Sequence, residues 1–74
     1  MIENKKLALL RILDILKEES DINQPLKQED IVQKLSDVYG IDIERKAVGR
    51  NISLLREAGY EIENTRRGCF LAER

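Results

Sequence analysis

The amino-acid sequence predicts a small, mostly α-helical fold that ends in a β-hairpin. Three segments place apolar residues three and four positions apart, as one face of a helix requires. The segment after the third one alternates apolar with charged residues, as a strand does. The chain has 74 residues, of which 42% are apolar and 36% charged, and this composition is typical of a folded chain. We therefore expect one domain over residues 1–74.

The first helix is predicted over residues 4–19. Its main apolar stripe consists of Leu9, Ile12, Leu13 and Leu16. Leu7 lies on the opposite, polar side of the helix, and Leu10 and Ile15 flank the main stripe. The apolar surface is therefore wider than one core face needs, which makes this helix the candidate for contact with a second copy of the chain.

The second helix is predicted over residues 28–39. Its apolar stripe consists of Ile31, Leu35, Val38 and Tyr39. Glu29 and Asp30 suit the positive end of the helix dipole, and Gly40 suits the position just beyond the last turn. Because proline favours an extended residue before it, a short strand near Pro25-Leu26 fits the connection from the first helix.

The third helix is predicted over residues 44–58, with Gly59 as its stop. Its buried face consists of Val48, Ile52 and Leu55. The opposite face carries Lys46, Gly49, Arg50, Ser53 and Glu57, with Arg45 at the N-terminal edge. The exposed side of this helix is therefore basic in its first half.

A hairpin is predicted from Tyr60 to Glu73, where Tyr60 and Ile62 alternate with acidic residues and the segment NTRRG supplies the turn. The second and third helices are joined by a short turn that begins with a glycine, as in a helix-turn-helix. With the trailing hairpin, this order of elements is that of a winged helix-turn-helix. The predicted core consists of Leu9, Ile12, Leu13, Leu16, Ile31, Leu35, Val38, Val48, Ile52, Leu55 and Ile62.

The sequence offers little for catalysis. It has no histidine, so it lacks an ordinary general base near neutral pH and an imidazole metal ligand. Cys69 is the only cysteine, and the four glycines are scattered rather than grouped in a phosphate-binding loop. No apolar run approaches the length of a membrane span. We therefore expect no enzymatic activity, no cofactor and no metal site, and a location in the reducing cytoplasm.

Charge is divided unevenly along the chain, whose net charge is −1. Residues 1–43 hold six basic and nine acidic residues, whereas residues 44–74 hold seven basic and five acidic ones. All arginines except Arg11 lie in the second part, and arginine is suited to phosphates and guanine edges. The candidate DNA-binding residues are Arg45, Lys46, Gly49, Arg50, Ser53, Arg66 and Arg67. A solvated charged face without a partner is the simpler interpretation of such a segment.

In a helix-turn-helix, the third helix presents the exposed residues near its N-terminus to base edges in the major groove. Arg66 and Arg67 at the hairpin tip would reach a flanking minor groove or phosphates. Gly49 has two interpretations, because a glycine inside a helix costs about 1 kcal/mol relative to alanine. It is either a neutral surface choice or a way for the helix backbone to approach DNA closely.

The stretch RKAVGRNISLLREAGYEI resembles the N-terminal winged helix-turn-helix of WYL-domain and DeoR-like transcriptional regulators. Families of this kind read close to R-(K/R)-T-V-Y-R-D-(I/L)-x-x-L-(R/K)-x-x-G-(F/Y)-x-I there. The segments KLALLRILDIL, QPLKQEDIVQKL and GCFL extend the likeness over nearly the whole chain. The matching residues are Arg45, Lys46, Val48, Arg50, Ile52, Leu55, Gly59, Tyr60 and Ile62. Ala47, Gly49 and Asn51 replace the family's usual threonine, aromatic residue and aspartate.

The resemblance implies sequence-specific binding of double-stranded DNA by the DNA-binding domain of a transcriptional regulator. Such regulators normally carry a ligand- or nucleic-acid-sensing domain after the winged helix. The alternative is a winged helix that serves as a protein-protein interaction module without DNA binding, because a fold does not determine function. A homodimer through Leu7, Leu10 and Ile15 would suit a regulator that reads paired half-sites.

Overall fold

A computed structural model describes residues 4–72 of the chain, which form three helices followed by a two-stranded antiparallel hairpin. The elements are α1 (Asn4–Glu19), α2 (Gln28–Tyr39), α3 (Arg45–Glu57), β1 (Ile62–Thr65) and β2 (Gly68–Leu71). The predicted fold class, a mostly helical chain with the layout of a winged helix-turn-helix, is confirmed. The three helices begin and end within one residue of the positions that the sequence predicts.

One hydrophobic core lies between the three helices, and the hairpin contributes two residues to it. α1 packs against both other helices, and α2 packs against α3. The buried apolar residues are Ala8, Ile12, Leu13, Ile15, Leu16, Ile31, Leu35, Ile41, Val48, Ile52, Leu55, Ile62 and Cys69. Every predicted core residue is among them except Leu9, which is half-buried, and Val38. The predicted buried face of α3 is therefore confirmed.

The helical pattern places Val38 in the core, but its side chain is 64% exposed. Tyr39 is half-buried instead, and the guanidinium carbon of Arg11 on α1 lies 4.6 Å from the centroid of its ring. Ile41, just beyond the helix, is buried, and its N–H donates to the carbonyl of Leu35 over 2.9 Å. The prediction for Val38 is wrong because the chain folds back after α2 and fills the adjoining core with Ile41.

Ile15 is a core residue, at 3% exposure, so it is not part of a surface for self-association as the sequence suggests. Because α1 packs against two helices, it buries a face wider than one stripe, and this face includes Ala8 and Ile15. Leu7 and Leu10 remain on the outer side of α1, 41% and 57% exposed. Only these two of the proposed dimer residues are at the surface.

The turn between α2 and α3 is held by backbone hydrogen bonds. Gly40 has a positive φ of 67°, and its N–H donates to the carbonyl of Ser36 over 3.2 Å.

At the other end of α2, the carboxylate of Asp30 accepts the N–H of Lys27 over 3.0 Å. This contact stabilises the start of the helix from within its first turn, so the helix begins without a serine, threonine, asparagine or aspartate at its N-cap.

The hairpin is attached to the segment that precedes α2. Leu26 and Cys69 exchange two backbone hydrogen bonds of 2.7 Å each, so the short strand predicted near Pro25-Leu26 takes the form of a single bridge to β2. On the other side, β2 pairs with β1 in a register that runs from Ile62 opposite Leu71 to Thr65 opposite Gly68. β2 therefore lies between β1 and the start of α2.

Side-chain contacts attach the base of the hairpin to α1 and α3. The hydroxyl of the buried Ser20 donates to the carbonyl of Leu16 over 2.7 Å and accepts the N–H of Leu71 over 3.1 Å. Arg56 donates through Nε to the carbonyl of Ile62 over 2.9 Å. These two contacts fix both strands at their base, opposite the exposed tip.

The strands are shorter than the predicted hairpin. The N–H of Tyr60 donates to the carbonyl of Leu55 over 3.1 Å. This hydrogen bond belongs to the end of α3, so Tyr60 lies outside the sheet. Pairing reaches one step beyond β1, because Ala72 donates to the carbonyl of Glu61 over 2.7 Å. Glu73, the predicted end of the hairpin, lies outside the residues that the structure describes.

Gly68→Ala should destabilise the domain by about 2–5 kcal/mol. A Cβ added at Gly68 would lie 2.5 Å from both the carbonyl carbon and the carbonyl oxygen of Leu26, and overpacking costs about 1–3 kcal/mol. Gly68 also has φ 137°, and a left-handed residue with a side chain costs roughly a further 1–2 kcal/mol. Urea unfolding followed by circular dichroism measures the change.

Gly40→Ala is the matched control for this prediction. Gly40 also has a positive φ, but no atom lies within 4 Å of an added Cβ, so only the backbone term of roughly 1–2 kcal/mol applies. Equal losses in the two variants would contradict a steric role for the contact between Gly68 and Leu26.

Candidate nucleic-acid interface

The first turns of α3 carry a basic outer side. Glu44 precedes the helix in an extended conformation, and its carbonyl accepts the N–H of Val48 over 3.1 Å. The charged or polar side chains that point away from the core are Arg45, Lys46, Arg50 and Ser53, all of which are exposed. Because Val48 lies at 0% exposure on the opposite side, the orientation of α3 is fixed by its core face. The helix therefore presents these cations to solvent.

Arg45 forms an ion pair with a residue of the preceding helix. Its Nη1 lies 3.0 Å from Oε2 of Glu29, and the two side chains are 62% and 68% exposed. Glu29 belongs to the first turn of α2, where its charge also suits the helix dipole. The first turns of the two helices are thus in contact through these side chains.

Arg66 and Arg67 form the two-residue tip of the hairpin. Oγ1 of Thr65 accepts the N–H of Arg67 over 3.0 Å and donates to the carbonyl of Gly68 over 2.9 Å. Both arginine side chains are exposed. A hydroxyl inside the turn thus orders the backbone while the two guanidinium groups extend into solvent.

The structure brings some of the predicted residues together and separates others. Arg45 and Arg66 line one shallow groove, between the start of α3 and the hairpin. Arg66 and Arg67 line an adjoining groove that faces the connection between α1 and α2. Arg50 and Ser53 line a third groove, on the side of α3 that faces the beginning of α1. Arg66 of the hairpin and Arg45 of the first turn of α3 therefore share one surface, which Glu29 also lines.

Lys27 is a further cation on that surface, and the sequence reasoning missed it. Its residue lines both the groove that contains Arg45 and the groove that contains Arg67, and its side chain is exposed. A lysine directly before a helix is unfavourable for the helix dipole. This mismatch is the signal in the sequence that could have identified Lys27 as a candidate.

Acidic residues partly offset the positive charge of the groove that contains Arg67. Glu19 lies 2.6 Å from Nζ of Lys34, and the hydrogen bond to its carboxylate raises the pKa of Lys34 above the ordinary value. In the described part of the chain, no salt bridge pairs Lys27, Arg66 or Arg67 with an acid. The hairpin tip and the residue before α2 therefore keep their positive charge available.

Gly49 faces the start of α2. An added Cβ would lie 3.1 Å from Nε2 of Gln28, so the absent side chain leaves room for the glutamine. Because this contact involves only the end of a flexible, exposed side chain, both interpretations of Gly49, a neutral surface choice and a close approach of the helix backbone to DNA, stay open. Nearby, Asn51 donates through Nδ2 to the carbonyl of Ala47 over 2.8 Å, so its amide group is bonded within the helix.

The acidic and cysteine side chains of residues 4–72 are dispersed. No group of three or more histidine, cysteine, aspartate or glutamate side chains is placed to hold a metal ion there. Burial raises the pKa of the Cys69 thiol, which keeps it protonated near neutral pH. In the same range of residues, no helix combines the length and the apolar character needed to cross a membrane.

Comparison of the chain with protein-family models, with curated proteins and with solved structures gave no match. We therefore infer a function from the residues of the chain and their geometry alone.

Gly49→Ala should stabilise the domain by up to about 1 kcal/mol, the difference in helix propensity between the two residues. The added Cβ would meet only the flexible end of the Gln28 side chain, which needs to move by a few tenths of an ångström. Thermal unfolding by circular dichroism should show a rise of roughly 4–8 °C per kcal/mol in a domain of this size.

The same substitution in a Gln28→Ala background tests the contact itself. If Gly49→Ala destabilises the parent but stabilises the Gln28→Ala variant, the glutamine is held rigidly and the expectation for the parent is wrong.

Proposed function

We propose that this domain binds double-stranded DNA sequence-specifically, as the DNA-binding part of a transcriptional regulator. The observation that carries the proposal is the shared surface of Lys27, Arg45 and Arg66. These cations come from the start of α2, the start of α3 and the hairpin tip, and they line one groove together with a single acid, Glu29, in a chain whose net charge is negative. A basic surface made by a helix start and a hairpin is the electrostatic footprint of a DNA-binding protein.

The exposed side of α3 would enter the major groove, which is wide enough for an α-helix. Arg45, Lys46 and Arg50 would meet base edges or the adjacent phosphates, Ser53 would make adaptable contacts, and Gly49 would bring the backbone close. Arg66 and Arg67 would contact phosphates or a flanking minor groove. The resemblance of the sequence to WYL-domain and DeoR-like regulators agrees with this arrangement. A regulator of this kind acts in the cytoplasm and needs neither a cofactor nor a catalytic group.

A protein-protein interaction module is the alternative function. Two large apolar residues outside the basic surface favour it, since Ile22 is 71% and Val38 64% exposed. Exposed apolar residues that occur singly are common, however, and do not by themselves form an interface.

Salt dependence distinguishes the two functions. Titration of the domain into a fluorescently labelled random-sequence duplex at 50 and 200 mM salt should show affinity that falls steeply, because each phosphate neutralised contributes a slope of about −0.9 in log K against log salt. An interaction module should bind little DNA at either concentration. Absence of binding at 50 mM salt would contradict the proposal.

Alanine variants of α3 and of the hairpin tip should affect DNA binding in different ways. Arg45→Ala should lose about 1–3 kcal/mol of binding free energy and relax the preference at a single base position, because a bidentate contact to guanine is removed. Arg67→Ala should weaken binding to all sequences alike and lower the salt slope by about one, because a phosphate contact is removed. Selection from a randomised duplex library, followed by titrations across salt, measures both effects.

Lys17→Ala is the matched control, since Lys17 is an exposed cation of α1 that does not line the basic grooves. Its affinity and salt slope should equal those of the parent. If Arg45→Ala and Arg67→Ala also behave as the parent does, these cations form a solvated face and the proposed interface is wrong.

We further propose that α1 forms a homodimer through Leu7 and Leu10, which would let two domains read paired half-sites. Leu7→Lys should then shift the sedimentation coefficient toward that of a monomer at high protein concentration, because a charge is placed in an apolar contact. Ser36→Lys, at an exposed polar position of α2, serves as the control. Sedimentation of Leu7→Lys identical to that of the parent would exclude this surface in the isolated domain.

A further inference from the structure

The start of α2 meets the first two turns of α3 at two points. Gln28 lies against Gly49, and one residue further along α2 the carboxylate of Glu29 lies 3.0 Å from Nη1 of Arg45. The ion pair joins residues that are 16 positions apart in sequence. The direction of the Arg45 side chain is therefore influenced by a different helix from the one that carries it.

The geometry of this contact leaves Arg45 able to bind a base. A guanidinium group has five N–H donors, and a bidentate contact to O6 and N7 of guanine needs two of them. Glu29 accepts a hydrogen bond from Nη1 in the structure, so other donors remain for a guanine edge. A long arginine side chain loses considerable rotamer freedom when it binds, and a carboxylate that restricts it beforehand reduces that loss.

We propose that Glu29 is a positioning residue that orients Arg45 toward a guanine, so that the base preference of α3 depends in part on α2. The inference deepens the proposed function and rests on it, because it concerns how the same surface selects a sequence. Glu29 itself contacts Arg45 and acts through that side chain.

If Glu29 acted only through its negative charge, its removal would change binding in a different way. A carboxylate close to DNA repels phosphates, so its removal would strengthen binding to every sequence alike. Orientation of Arg45 instead affects one base position and leaves the others unchanged. The two effects therefore separate when affinity and base preference are measured in the same variants.

The experiment selects binding sites from a randomised 20-base-pair duplex library with five proteins. These are the parent, Glu29→Ala, Arg45→Ala, the double variant, and Glu18→Ala. Glu18 is an exposed acid of α1 that forms no salt bridge among the described residues, so its variant is a control for the loss of one negative charge. Thermal unfolding of each variant checks that the fold is retained.

Arg45→Ala identifies the base position that Arg45 reads. Glu29→Ala should reduce the preference for guanine at that position about two- to five-fold, the range that corresponds to an exposed ion pair, and should leave other positions unchanged. In the Arg45→Ala background, Glu29→Ala should have no further effect on base preference, because a residue that acts through Arg45 has no effect when Arg45 is absent. Glu18→Ala should select the same sites as the parent.

Two results would overturn the inference, and they are distinguishable. If the parent enriches a sequence and Glu29→Ala retains its guanine preference while binding all duplexes more tightly, Glu29 is only a nearby charge. If the parent enriches no sequence and binds no duplex, the proposed function itself is wrong, and the inference is wrong with it.

Discussion

The close approach of Gly68 to Leu26 determines where the hairpin lies. Cys69 and Leu26 exchange two backbone hydrogen bonds of 2.7 Å, and no side chain fits between Gly68 and the carbonyl of Leu26. Because Leu26 is followed at once by Lys27 and the first turn of α2, this contact places the hairpin tip beside the starts of α2 and α3. The juxtaposition of Arg66, Lys27 and Arg45 follows from a backbone contact and not from any attraction between their like charges.

The net charge of the domain does not indicate where its positive charge lies, because its cations have different surroundings. Arg56 donates to the carbonyl of Ile62, Arg11 lies beside the Tyr39 ring and Asp14, and Lys34 is paired with Glu19. Those cations support the packing of one element on another. Lys27, Arg45 and Arg66 lie together beside the start of α2, the start of α3 and the hairpin tip, so a net charge of −1 coexists with a local group of cations. This distribution supports the binding of a polyanion that we propose for one side of the domain.

Local patterns in the sequence predicted the helices, the hairpin and most of the core, because each depends on near neighbours in the chain. The errors arose where tertiary contacts decide. Ile41 returns to the core after α2 and leaves Val38 outside, and the two neighbours of α1 bury Ile15. Likewise, Lys27 joins the candidate interface only because Leu26 pairs with β2. A pairing between positions 43 residues apart (Leu26 and Cys69) leaves no signal in local periodicity.

The start of α2 contacts α3 through two neighbouring residues, Gln28 and Glu29. The end of the Gln28 side chain lies beside Gly49, where α2 and α3 come close to each other. This proximity brings Glu29 within reach of Arg45. An alanine at position 49 would displace only the flexible end of the Gln28 side chain, so the ion pair of Glu29 with Arg45 would remain. The first arginine of α3 is therefore interpreted best together with the first turn of α2, since Arg45 and Glu29 form an ion pair between the two helices.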